Sequence, residues 1–174
     1  VMWGLARQYT TLILHTGCQG DRASLERAGF PADPIEFISR DGPTLRGWFS
    51  PGDKYPDAAI IVMTGHGGNT NFTLPDAEIL ARSGFSTLIF EHRSCADPAL
   101  SASTGYFESR DLLGAVDYLR SHPDVRHIGT LGFSEGGTAS LLAAADEPAI
   151  EAVVAMGGYD SLERDIRDTN RNLS

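Results

Sequence analysis

The segment Gly132-Phe133-Ser134-Glu135-Gly136-Gly137 places one serine between glycines two positions away on either side. This G-x-S-x-G spacing is that of a nucleophile elbow, a tight turn from a strand into a helix. The glycines answer a steric need. A serine there takes a strained backbone conformation, and side chains at 132 and 136 would collide. The turn lifts the hydroxyl above the sheet's end and sets it at a helix N-terminus, where developing negative charge is favoured. With 19 glycines in 174 residues, chance alone gives a serine these flanks about once in eighty times. Context therefore carries the weight: an apolar run at 127–133 leads in, and an Ala/Leu-rich run at 135–145 leads out. The competing reading is a plain strand-to-helix turn with an incidental serine.

A second group, His66-Gly67-Gly68-Asn69, follows a buried apolar run at 58–64. Acyl transfer creates an oxyanion, and two backbone N–H groups must point at it. The residue after the serine, Glu135, supplies one amide. The other is expected from the loop after this strand, where glycines let the backbone come close. By itself such a loop is more often a simple turn; upstream of an elbow it gains meaning.

The elements that must position these residues are legible from periodicity. Residues 34–39 alternate apolar and polar, Asp41-Gly42 signals a turn, and 44–50 reads as a second extended run, so the pair predicts an antiparallel hairpin. The runs at 58–64 and 85–90 are continuous and apolar, as strands covered on both faces are. Helical spacing appears at 74–83, with Gly84 as its stop, and at 105–121, where Leu112, Leu113, Val116 and Leu119 share a face. A strand at 127–133, a helix at 135–145 and a strand at 150–156 complete the order β-β-β-α-β-α-β-α-β. That order predicts an α/β fold, with a mainly parallel, doubly wound sheet preceded by an antiparallel hairpin. Residues 1–33 read as a separate, helical N-terminal segment.

Composition bounds the partners. Hydrophobic residues make up 41% and charged residues 21%, enough for one domain with a real core. A net charge of −9 repels phosphate backbones, so nucleic acid is not an expected partner. No run reaches the roughly 18 apolar residues of a membrane span; Arg7 and Gln8 interrupt the nearest one, at 1–15. Cys18 and Cys95 lack metal-like spacing and predict no disulfide framework, which favours a reducing, cytoplasmic setting. The first residue is Val1, so an upstream leader or anchor stays open.

The succession strand, "HGGN" loop, strand, "GYFESRDLLGAVDYL" helix, then "GFSEGG" resembles the α/β-hydrolase family, especially its esterase, dienelactone-hydrolase-like and serine-peptidase-like branches. The resemblance runs from about 34 to 160. It implies Ser134 as nucleophile, the Gly68 and Glu135 amides as oxyanion hole, a small-molecule or peptide acyl substrate, and no cofactor or metal. In "FEHRS", Glu91 and Arg93 match the family's acidic-x-Arg-Gly run, with Ser94 in place of glycine; both read as residues that tie down the loop.

One departure is plain. The family completes its triad with an acid and then a histidine after the nucleophile. Here His15, His66, His92, His122 and His127 all precede Ser134. His92 lies at the correct end of the sheet, but the resemblance does not place the base there, and Asp160 reads as a loop cap. The resemblance further implies two more strands, so residues 34–174 are expected to form a partial domain that lacks its C-terminal strands, with 160–174 as the possible start of a lid. The leading expectation is a serine hydrolase of ester, thioester or peptide-like acyl bonds. A non-catalytic, hydrolase-like binding module and an acyltransferase on the same fold stay open.

Overall fold

The computed structural model describes Leu14, residues 31–67 and 70–161, and Glu163, Arg164 and Arg167. The expected N-terminal helical segment and most of the possible lid start lie outside the described residues. Six strands form one sheet: β1 (Asp33–Ile38), β2 (Thr44–Ser50), β3 (Tyr55–Met63), β4 (Phe85–Phe90), β5 (His127–Phe133) and β6 (Ile150–Met156). Their spatial order is β1-β2-β4-β3-β5-β6. β1 pairs antiparallel with β2 across Ile38↔Thr44, and β2 pairs antiparallel with β4. The other three pairings are parallel. The expected hairpin followed by a parallel sheet is what the chain forms.

Four helices connect the strands: α1 (Thr70–Arg82), α2 (Arg93–Ala96), α3 (Tyr106–Arg120) and α4 (Glu135–Asp146). Two cores result, one on each sheet face. Leu112, Ala115, Val116 and Leu119 of α3, with Ala139 and Ala143 of α4, pack on Phe37, Leu45, Ile61, Leu88 and Phe90. On the opposite face Leu74 and Ala77 of α1 pack on Trp48, Val62 and Ile89. The central strands are covered on both sides, which is why 58–63 and 85–90 read as unbroken apolar runs.

Three differences from the sequence reading have physical causes. Helix α1 begins at Thr70, four residues before the apolar spacing starts. Its first turn, Thr-Asn-Phe-Thr, has poor intrinsic propensity, and Pro75 imitates a helix start. The short helix α2 went unread because four residues cannot show a period. Cys95, within α2, is disulfide-bonded, contrary to the expectation of no disulfide; the other cysteine, Cys18, lies outside the described residues. Separation along a chain says nothing about proximity in space, so spacing alone could not have shown a bridge. Among the described residues, no helix is long and apolar enough to cross a membrane.

Candidate active site

Strand β5 ends at Phe133 and α4 begins at Glu135, leaving Ser134 alone at the turn. Its φ is 52° and ψ −118°, a region that non-glycine residues rarely occupy and that surrounding structure must hold. The holding contacts are visible. Ser134 N–H donates to the Met156 carbonyl at 2.7 Å, and the Thr138 N–H donates to the Ser134 carbonyl at 3.1 Å. A methyl group at Gly132 would collide with the backbone of Gly136, and one at Gly136 would lie 2.5 Å from the Thr64 carbonyl oxygen. Both glycines therefore permit close packing of the turn on itself and on the end of β3.

Parallel pairing brings the β3 loop alongside. Met63 is in register with Gly132, so residues 64–67 leave the sheet at the same end as Ser134. A methyl at Gly65 would sit 3.3 Å from Ser134 Cβ. Gly68, the expected second oxyanion donor, lies outside the described residues. The Glu135 amide belongs to the first turn of α4, whose N–H groups have no partner within the helix.

The Glu135 side chain has a role that spacing did not reveal. Its carboxylate is buried and meets two histidines from two different loops. His66 Nδ1 lies 2.6 Å from Oε2, and His92 Nε2 lies 3.0 Å from Oε1. A second buried carboxylate, Glu108, stands 3.6 Å from the same His92 Nε2. Glu108 is fixed in turn by the N–H groups of Ser103 and Gly105, at 2.9 and 2.8 Å, and by the Ser103 hydroxyl at 2.7 Å. Burial alone would push His92 down, but the two carboxylates outweigh it and raise it to about 9. Burial alone would likewise raise Glu108, yet His92, Ser103 and Gly105 hold it at about 2. The carboxylates of Glu108 and Glu135 thus favour the charged form of His92 inside the fold.

Arg93 anchors the same loop, as its sequence context suggested. Its Nε and Nη2 grip Asp111 of α3 at 3.0 and 2.9 Å, and Nη2 also reaches Asp41 at 2.8 and 2.9 Å. Burial raises the Asp111 carboxyl to about 6 against the pull of Arg93. The remaining histidines of the described residues and Asp160 have partners away from the cluster. His127 pairs with Glu151 at the start of β5, His122 packs on the Phe49 and Tyr118 rings, and Asp160 pairs with Arg164. The buried histidine–glutamate cluster is the feature that sequence reading missed. Its signal was faint: an acidic residue in the first turn of each of two helices, and a histidine after each of two buried strands.

His92, Glu108 and Glu135 also offer three atoms within 4.8 Å of one another, a spacing a cation can use. The donors above already satisfy these atoms, so hydrogen bonding and ion pairing account for the arrangement without a metal.

Comparison with known proteins agrees with this geometry. The family described as BAAT / acyl-CoA thioester hydrolase C terminal matches residues 104–169, which include Ser134. Mitochondrial acyl-coenzyme A thioesterase 2 of Mus musculus is 35% identical over 124 residues, 68% of this chain and 26% of that protein. A probable 2-oxo-3-(5-oxofuran-2-ylidene)propanoate lactonase of Bradyrhizobium sp is 38% identical over 131 residues, 67% of this chain and 51% of that protein. Among solved structures, the α/β hydrolase GrgF from Penicillium sp. sh18 superposes with a TM-score of 0.64 at 26% identity, covering 83% of this chain and 55% of that one. The chain thus spans from about a quarter to about half the length of the curated relatives it matches. Sheet order, serine turn and these likenesses converge on one assignment: the chain belongs to the α/β-hydrolase family.

Proposed function

We propose that this chain carries the nucleophile of a serine hydrolase acting on acyl thioesters or esters. The observation that carries the reading is the strained turn at Ser134, held at positive φ between two glycines that tolerate no side chain. Strain of that kind persists where surrounding structure enforces it, and at this turn it exposes a hydroxyl at a helix N-terminus. Ser134 Oγ attacks the acyl carbonyl carbon, and the carbonyl oxygen becomes an oxyanion that accepts from the amides of Glu135 and Gly68. Collapse expels the thiolate or alkoxide and leaves an acyl-enzyme, which water then hydrolyses. A histidine oriented by an acid is the base such a serine needs. His92 is buried, with both ring nitrogens occupied by Glu135 and Ser94, which argues against it for that role.

An apolar wall for an acyl group stands beside the serine. Phe133 stacks on Phe72 of α1 with ring centroids 5.6 Å apart, and both rings are solvent-exposed. The thioester preference is supported by the matched family's description and by the thioesterase relative. The test is a substrate panel with the full-length protein, comparing acyl-CoA thioesters with p-nitrophenyl esters of equal chain length. Serine-dependent release of free CoA or of nitrophenol is expected. Absence of turnover on both classes, with the protein folded, would overturn the reading.

A further inference from the structure

The buried carboxylate of Glu135 stands one residue from the nucleophile, where an unpaired negative charge would oppose an oxyanion. It is not unpaired. Oε1 meets His92, from the loop after β4, and Oε2 meets His66, from the loop after β3. His92 is tied further to Glu108, whose carboxylate fastens the turn before α3 through Ser103 and Gly105. One carboxylate therefore joins the first turn of α4 to both loops that flank Ser134 and, through His92, to the start of α3. We propose that Glu135 is a positioning residue: its side chain, clamped between His66 and His92, fixes residues 64–67 of the β3 loop against α4 and holds its own backbone amide beside Ser134.

This rests on Ser134 being the nucleophile and assigns the side chain of the neighbouring residue, whose amide alone the general scheme uses. The chemistry fits the task. Both bonds to Glu135 are to imidazoles, which are rigid and donate in fixed directions, and the carboxylate is almost fully withdrawn from water, so the geometry is not diluted by solvent. The β3 loop has no secondary structure of its own at residues 64–67. The His66 contact is thus a side-chain link that orients it against α4.

The test uses the full-length protein and three variants that separate positioning from folding. His66 is the accessible arm of the clamp, its side chain 33% exposed, so replacing it does not open the core. His66→Ala removes the donor to Oε2, and His66→Asn restores an N–H close to where Nδ1 stood. If the clamp positions the Glu135 amide and the β3 loop, His66→Ala lowers kcat about 10- to 100-fold with KM little changed, and His66→Asn recovers most of that loss at an unaltered melting temperature. Glu135→Gln should lower kcat by at least as much. Wild-type kcat in folded His66→Ala would overturn the proposal, as would a loss that Asn fails to restore. Ser134→Ala, run in parallel, keeps the two readings apart. If it retains turnover, the nucleophile assignment falls. If it is inactive while His66→Ala is fully active, only the positioning role falls.

Discussion

Two histidine–carboxylate contacts stand at opposite ends of the parallel strands, alike in chemistry and different in surroundings. At the start of β5, His127 Nδ1 lies 2.9 Å from Glu151, with side chains 58% and 52% exposed. Beyond the ends of β4 and β5, His92 lies 3.0 Å from Glu135 with both side chains almost wholly buried. Water screens the first pair and leaves it free to break at little cost. The second cannot lose a partner without leaving a charge in the interior. The arginines repeat the lesson. Arg40 bridges Asp117 and Glu147 at the surface, and Arg93 bridges Asp41 and Asp111 inside. Buried polar structure is concentrated where the serine is, which is where geometry must be held.

That contrast can be broken by substitution. The largest stability effect is expected at Arg93. Arg93→Ala strands Asp111 in the core and should cost about 3–5 kcal/mol in chemical denaturation. Arg40→Ala, which removes three hydrogen bonds to the carboxylates of two residues, should cost only about 0.2–1 kcal/mol. Equal losses would show that burial is not what distinguishes the two clamps.

The elbow glycine comes next. A methyl at Gly136 would press on the carbonyls of Met63 and Thr64. Gly136→Ala should therefore cost about 1–3 kcal/mol and abolish reaction of Ser134 with an active-site probe, even in the fraction that stays folded. Full labelling would mean that the turn has more room than its packing implies.

A smaller and more diagnostic effect is pH dependence. His92 is raised from 6.5 to about 9, so its ion pairs stabilise the fold fully below pH 6.5 and lose that contribution as pH climbs through 9. Glu108 is lowered from 4.5 to about 2; its contribution is complete above pH 4.5 and disappears as pH falls through 2. The melting temperature should thus decline on the alkaline side between pH 6.5 and 9. His92→Gln should flatten that decline, and His127→Gln should leave it unchanged. An alkaline slope that survives His92→Gln would assign the titration elsewhere.

Much of the fold is legible in the amino-acid sequence. Strands with two covered faces are continuous apolar runs, and β2, β4, β5 and β6 begin and end where their runs do. The elbow was legible because its spacing is local: Gly132 is demanded by the backbone of Gly136 four residues on, and only the demand on Gly136, from the Met63 and Thr64 carbonyls, comes from another strand. The clamp was not legible, because His66, His92, Glu108 and Glu135 are brought together by tertiary structure across 69 residues. No spacing rule links a histidine after one strand to a glutamate after another. The disulfide at Cys95 escaped for the same reason. Helix α1 was read short because Pro75 mimics a helix start, and tertiary packing of Thr70 and Thr73 overrides their weak propensity.

The most direct test of the account is covalent labelling of the full-length protein with a fluorophosphonate, followed by mass spectrometry of the modified peptide. The adduct is expected on Ser134 alone, and Ser134→Ala should remove it while leaving the unfolding free energy within about 1 kcal/mol of the parent or higher. An adduct on another serine, or labelling that survives Ser134→Ala, would contradict the assignment of the elbow serine as the nucleophile.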